Sequence, residues 1–186
     1  MGEIKRGFII FILFSVLTGL MYPVIITGLA QVFWKDKANG SLIVSNKKVI
    51  GSKLIGQKFT SPQYFHARPS AIDYKGNISG ASNLGPTSSK LIENAQKEIN
   101  SVRSENALGK DSKIPADLVL SSASGLDPHI SLDSALLQAP RIAKIRGITL
   151  DKMNKLIYKN LEEPLFKFLG QKRVNVLTLN LELEKE

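Results

Sequence analysis

The sequence predicts an α+β fold: a single soluble domain carried behind one N-terminal transmembrane helix. Three observations predict it. The stretch 7–34 contains no charged residue. Beyond it, amphipathic helical patterns are interspersed with short β-favouring runs, and a long Pro-, Gly-, Ser- and Asn-rich segment separates the first hairpin from the first helix. At 186 residues the chain suits one domain plus an anchor. We read residues 1–7 as a short tail, 8–32 as the membrane span and 35–186 as the soluble domain.

The span rests on length and flanks. As a helix, 7–34 reaches about 42 Å against a hydrocarbon core of about 30 Å. Lys5 and Arg6 precede it, and Trp34, Lys35 and Lys37 follow, residues that sit well among lipid head groups. The competing reading is a cleavable secretory signal ending near Gly28-Leu29-Ala30. A signal core of about 7 to 15 residues is shorter than this run, which favours a retained anchor. Ser15, Gly19, Pro23, Thr27 and Gln31 recur every four residues along one ridge of the helix. Small residues let helices approach closely and Thr or Gln hydrogen-bonds across them, so this ridge is expected to dock on another transmembrane helix. The basic flanks nearly balance, but a six-residue tail is readily left in the cytoplasm while a long domain is exported. We therefore expect a cytoplasmic N-terminus and an external domain.

Within the domain, Ser41 to Val44 and Lys48 to Ile50 flank Ser45-Asn46-Lys47 as a hairpin. Residues 60–87 form a long irregular segment whose Tyr64, Phe65 and Tyr74 argue for packed order. Thr87 or Ser88 caps a helix with Leu91, Ile92, Ala95, Ile99 and Val102 on one face. Residues 104–113 read as an exposed linker, and Pro115 to Leu120 as a short buried segment. Ser131 caps a second helix to Arg146, stopped by Gly147 and kinked by Pro140; its apolar positions are Leu136, Ala139, Ile142, Ala143 and Ile145. Thr149 starts a third helix carrying Leu150, Met153, Leu156, Ile157 and Leu161, ended near Pro164. Leu177 to Glu184 alternates strictly and predicts a strand.

Composition narrows the partners. Beyond the apolar segment the formal charge is about +8, which favours anionic surfaces. The bases are scattered and lack interleaved aromatics, so the expected surface is anionic lipid or an acidic protein face, with no nucleic acid. Cysteine is absent, which excludes disulfides, thiolate metal sites and a cysteine nucleophile.

No complete active site emerges. Gly51 to Lys58 has the glycine spacing of a phosphate loop, but Gln57 and Lys58 stand where Lys and Ser or Thr are required, so it reads as a turn leaving the hairpin. No Asp-Lys-Thr-Gly phosphorylation signature of P-type pumps occurs. His66, His129 and Asp127 are a weak metal set without close spacing, and Asp127-Pro128 reads more simply as a turn whose carboxylate satisfies local amides. Ser124-Gly125 lacks a nucleophile elbow. We expect no catalytic residue and no metal.

Collinear blocks carry a resemblance. They include Leu17-Thr18-Gly19-Leu20, Tyr22-Pro23 and Thr27-Gly28, then Ala38 to Ile43, Gly51 to Thr60, and Tyr64-Phe65-His66 with Arg68-Pro69-Ser70-Ala71. Ser79-Gly80, Ser82 to Thr87, Pro115 to Val119, Ser124 to Ser131, Gln138, Arg141, Arg146-Gly147 and Arg173 to Leu177 complete them. The chain resembles the C subunit of the bacterial Kdp-type potassium-transporting ATPase; Ala67 and Ala81 depart from it where glycine is expected.

The resemblance implies an accessory subunit without catalytic residues of its own. Its implied partners are a potassium-channel-like subunit and an ATP-hydrolysing P-type subunit in the cell membrane. ATP and potassium are then handled by the complex, with no covalently bound cofactor. The family is described as a catalytic chaperone raising ATP affinity, yet an external domain cannot touch ATP directly. His66, Arg68, Asn83, Asp127, His129, Gln138 and Arg141 are the candidates for interface contact or loop fixing. The alternative is a membrane-anchored external binding module unrelated to transport.

Overall fold

The computed structural model describes residues 2–45, 47–164 and 166–186, so Asn46 of the expected hairpin turn lies outside the described residues. The chain divides into two compact units, one ending at Ile50 and the other Gly51–Glu186.

The first unit opens with a continuous helix, Gly2–Phe33, long and apolar enough to cross a membrane. It comprises α1 (Gly2–Val16), a π-helical stretch Leu17–Met21, and α2 (Tyr22–Phe33). The widened turn has a local cause. Pro23 has no N–H and its ring would press on the carbonyl four residues back, so the helix loosens just before it. The Tyr22 amide accordingly bonds the Leu17 carbonyl, five residues earlier. A short helix α3 (Lys35–Ala38) follows, then the hairpin of β1 (Leu42–Ser45) and β2 (Lys48–Ser52).

The second unit is built around a three-stranded antiparallel sheet in the order β3, β5, β4. These are β3 (His129–Ser131), β4 (Leu161–Glu162) and β5 (Arg173–Asn175), with Ile130 and Leu161 both opposite Val174. Helix α4 (Ser89–Glu105) follows the irregular segment, and α5 (Leu132–Arg146) and α6 (Leu150–Lys159) lie either side of Gly147. Ala135, Ala139 and Ile142 of α5 meet Met153 and Ile157 of α6 in one core with Ile130, Val174 and Phe65. Ser131 and Thr149 cap α5 and α6 by accepting from the amides of Ser134 and Lys152, and Gly147 ends α5 in the left-handed conformation at φ +69°.

Four expectations are corrected. Leu177 to Glu184 is not a strand: Val176–Leu183 forms helix α7. Asn175 caps it by accepting from the Thr178 amide, and Val176, Leu179, Asn180 and Leu183 bury one helical face. The Leu and Glu that alternate here are strong helix formers, and alternation alone does not outweigh a cap plus that stripe. In α4, Ile92 is exposed, Val102 is the one buried residue, and Leu91, Ala95 and Ile99 are half-buried. Ile145 and Leu150 are likewise exposed. Helix α6 ends at Lys159, and Leu161 belongs to β4.

Candidate functional site

The irregular segment is held by side chains where a strand would use a sheet. Five consecutive carbonyls each accept from one. Arg141 donates to Pro62 O and, at 3.1 Å, to Tyr64 O; Arg146 Nε donates to Gln63 O at 3.0 Å. Asn180 Nδ2 donates to Phe65 O at 3.0 Å, and Gln138 Nε2 to His66 O at 3.1 Å. The same two amides accept in return, Phe65 N–H to Asn180 Oδ1 at 2.9 Å and His66 N–H to Gln138 Oε1 at 2.8 Å. Buried backbone groups need partners. This is why Phe65 reaches zero exposure from a segment without regular structure. Arg141 is further fixed by Asn106 Oδ1 at 2.9 Å, and Arg146 lies 5.1 Å from the centre of the Tyr64 ring.

Past this clamp the chain meets the loop between the 3-10 turn Ala116–Leu118 and β3. Arg68 Nη1 donates to Asp127 Oδ2 at 2.9 Å, and Asp127 Oδ1 accepts the His129 amide at 3.0 Å. The His129 ring stands between two carboxylates, its Nδ1 3.6 Å from Asp127 Oδ1 and its Nε2 3.3 Å from Glu162 Oε2. Burial acts to raise the Asp127 carboxyl, but the bonds from the His129 ring and amide and the Arg68 guanidinium outweigh it and hold it at about 2. Tyr74, whose hydroxyl donates to Arg68 O, is pushed up to about 12 by burial and by the Asp127 charge. The Asp127 and His129 groups line an open cleft of about 720 Å³ with Arg68, Asp117 and Arg173.

A carboxylate held this far below neutrality and already accepting from the Arg68 guanidinium and the His129 amide is a structural anion, poorly suited to take up a proton. Gly56 makes the neighbouring turn a docking element: its N–H bonds Leu126 O at 2.7 Å, and a Cβ there would sit 2.7 Å from Asp127 O. The glycine-spaced stretch 51–58 thus has a packing reason. Among the described residues no group of three or more His, Cys, Asp or Glu is placed to hold a metal.

The family model described as KdpC, K+-transporting ATPase, c chain, matches residues 4–185. The chain belongs to the KdpC family. It is 48% identical over 172 residues to the potassium-transporting ATPase KdpC subunit of Koribacter versatilis, covering 91% of this chain and 88% of that one. The KdpC subunit of Caldanaerobacter subterraneus is 46% identical over 184 residues, covering 99% and 95%. That of Mycobacterium tuberculosis is 44% identical over 176 residues, covering 94% and 93%.

In this KdpC chain the expected site residues fall into distinct places. Arg68, Asp127 and His129 come together, while Gln138 and Arg141 join one another at 3.1 Å in the clamp. His66 gives its backbone to the clamp and turns its ring to Glu105 at 3.2 Å and Ser61 O at 3.1 Å, apart from the partners of His129. Asn83 is exposed in the left-handed conformation at φ +54°, a turn position asparagine tolerates. On the apolar helix, Ser15, Gly19, Pro23, Thr27 and Gln31 are all exposed, and a Cβ on Gly19 would meet nothing within 4 Å. The Gln31 amide exchanges hydrogen bonds with the Asn39 side chain at 3.2 and 3.3 Å.

Sequence reasoning did not single out Asn180, Asp117, Arg146 or Glu162 as candidates. Asn180 lay in the stretch read as a strand. Asp117 accepts from Ser131 N at 2.6 Å and from the Ser131 and Ser134 hydroxyls at 3.2 and 2.6 Å, which makes it the carboxylate at the start of α5. Its partners lie 14 and 17 residues away, beyond any local pattern.

Proposed function

We propose that this chain is a non-catalytic accessory subunit of an ATP-driven potassium-uptake complex, joined in the membrane to a potassium-channel-like subunit and an ATP-hydrolysing P-type subunit. The family match supports membership of such a complex. The observation that carries the non-catalytic reading is the clamp, in which Gln138, Arg141, Arg146 and Asn180 are all engaged in fixing one loop. Polar groups so engaged hold a shape for a neighbour to recognise. The ridge from Ser15 to Gln31 supplies the intramembrane contact, with Gln31 sharing its amide with Asn39. The N-terminus is cytoplasmic and the domain external, so any effect on ATP affinity travels through the membrane subunits without direct ATP contact.

Sidedness tests this division of labour. Ser104, near the exposed C-terminal end of α4, is replaced by cysteine in a chain with none of its own. Labelling by a membrane-impermeant thiol reagent in intact cells is expected. Labelling only after lysis would overturn the external placement and bring ATP within reach.

A further inference from the structure

We propose that the loop between β4 and β5 is a second, peripheral contact with the bilayer, in which Phe166, Phe168 and Leu169 enter the head-group region beside the lipid tails. The proposal rests on the single-pass reading above and adds to it a lipid-binding surface on the soluble domain.

Phenylalanines beyond the apolar segment follow two fates. Phe65 is fully buried and Phe59 packs against the core, whereas Phe166 and Phe168 are 71% and 75% exposed with Leu169 beside them at 56%. The two exposed rings lie near-parallel, interplanar angle 27° and centroids 6.2 Å apart, and form one apolar plate. Lys167 sits between them in sequence. At the base of the loop the carboxylates are neutralised, Glu163 by Lys172 at 3.1 Å and Glu162 by Arg173 at 3.0 Å. An apolar tip with bases alongside and its acids paired has the composition of an interfacial membrane anchor, in which rings sink into the head-group boundary and ammonium groups stay at phosphate level.

Three considerations select lipid as the occupant. The chain between Phe33 and Gly51 spans at most about 60 Å even if fully extended, so the domain never leaves the neighbourhood of the bilayer and a weak contact suffices. The formal charge of about +8 beyond the apolar segment draws it to an anionic surface. Finally, three side chains are far short of the roughly 800 Å² per partner of a stable protein interface, yet a few apolar side chains are enough for interfacial insertion.

The test uses the full chain in vesicles of phosphatidylethanolamine and phosphatidylglycerol. Trp34 is the chain's single tryptophan and reports on the anchor in the unaltered protein. In a Trp34→Phe background, Phe168→Trp places the reporter in the loop, and Ile92→Trp on exposed α4 is the control. Blue-shifted emission and quenching by acyl-brominated lipids are expected for Phe168→Trp and absent for Ile92→Trp, with unchanged far-ultraviolet circular dichroism. If Trp34 of the unaltered chain is quenched while the Phe168→Trp reporter is neither shifted nor quenched, the loop proposal fails and the anchor stands. If Trp34 itself is unquenched, the single-pass reading fails. Loop quenching equal to that of the Ile92→Trp control would also overturn the proposal.

Discussion

Asn180 on α7 satisfies both backbone groups of Phe65, accepting from its N–H at 2.9 Å and donating to its carbonyl at 3.0 Å across 115 residues of chain. Together with Gln138 on His66, it lets an irregular loop enter the core with no strand beside it. Removing the side chain leaves two buried backbone groups unpaired, each costing about 1 to 3 kcal/mol. Asn180→Ala should therefore lower unfolding free energy by about 2 to 5 kcal/mol, measured by thermal or denaturant unfolding of the full chain in detergent. Asn180→Asp, which keeps the acceptor, loses the donor and buries a charge, should be no better.

The Asp127 site makes stability depend on acidity. Its folded-state value of about 2 lies below the ordinary range near 4, so its contribution is complete above about pH 4 and is lost as pH falls towards 2. The shift corresponds to about 2 kcal/mol. Asp127→Asn should flatten that part of the stability profile between about pH 4 and 2 while altering the slope at pH 6 to 8 little, as read from melting temperatures across the range.

Asp117 ties the 3-10 turn to the start of α5 through three hydrogen bonds. Asp117→Ala leaves the Ser131 amide unpaired and should cost about 1 to 3 kcal/mol. Asp117→Asn, which retains acceptor oxygen, should recover part of it. Equal melting temperatures for the alanine variant and the unaltered chain would remove Asp117 from the account.

Where the sequence was legible, the signal was local. Ser131, Thr149 and Gly147 mark helix ends by their own chemistry, and the caps form where those residues stand. The apolar run likewise forms one helix from Gly2 to Phe33, although its π turn follows from how Pro23 fits the helix, which hydropathy does not register. What stayed hidden depends on residues distant in the chain. Leu177 to Glu184 alternates like a strand, but the strand positions beside β3 are taken by Arg173–Asn175, and the cap at Asn175 turns the remainder into a helix. That error concealed Asn180, whose orientation onto Phe65 exists only on a helix. His66, Arg68, Asp127 and His129 were singled out by residue type, but the pairing of Arg68 with Asp127 spans 59 residues.

The intramembrane ridge is tested by bulk. Because a Cβ on Gly19 meets nothing of its own chain within 4 Å, Gly19→Leu should leave this subunit folded and obstruct only a partner helix. Co-purification with the pump subunits should fall at least severalfold against the unaltered chain; undiminished recovery would count against ridge docking.

The non-catalytic reading is tested most directly by potassium-dependent ATP hydrolysis in purified complexes matched for subunit content, comparing the unaltered chain with His129→Ala. His129 sits between Asp127 and Glu162, the arrangement here most open to proton chemistry. If it only fixes loops or meets a neighbour, turnover stays within about tenfold and any loss follows assembly. A fall of about three powers of ten or more, with assembly and ATP affinity intact, is the signature of a missing catalytic group and would contradict the account.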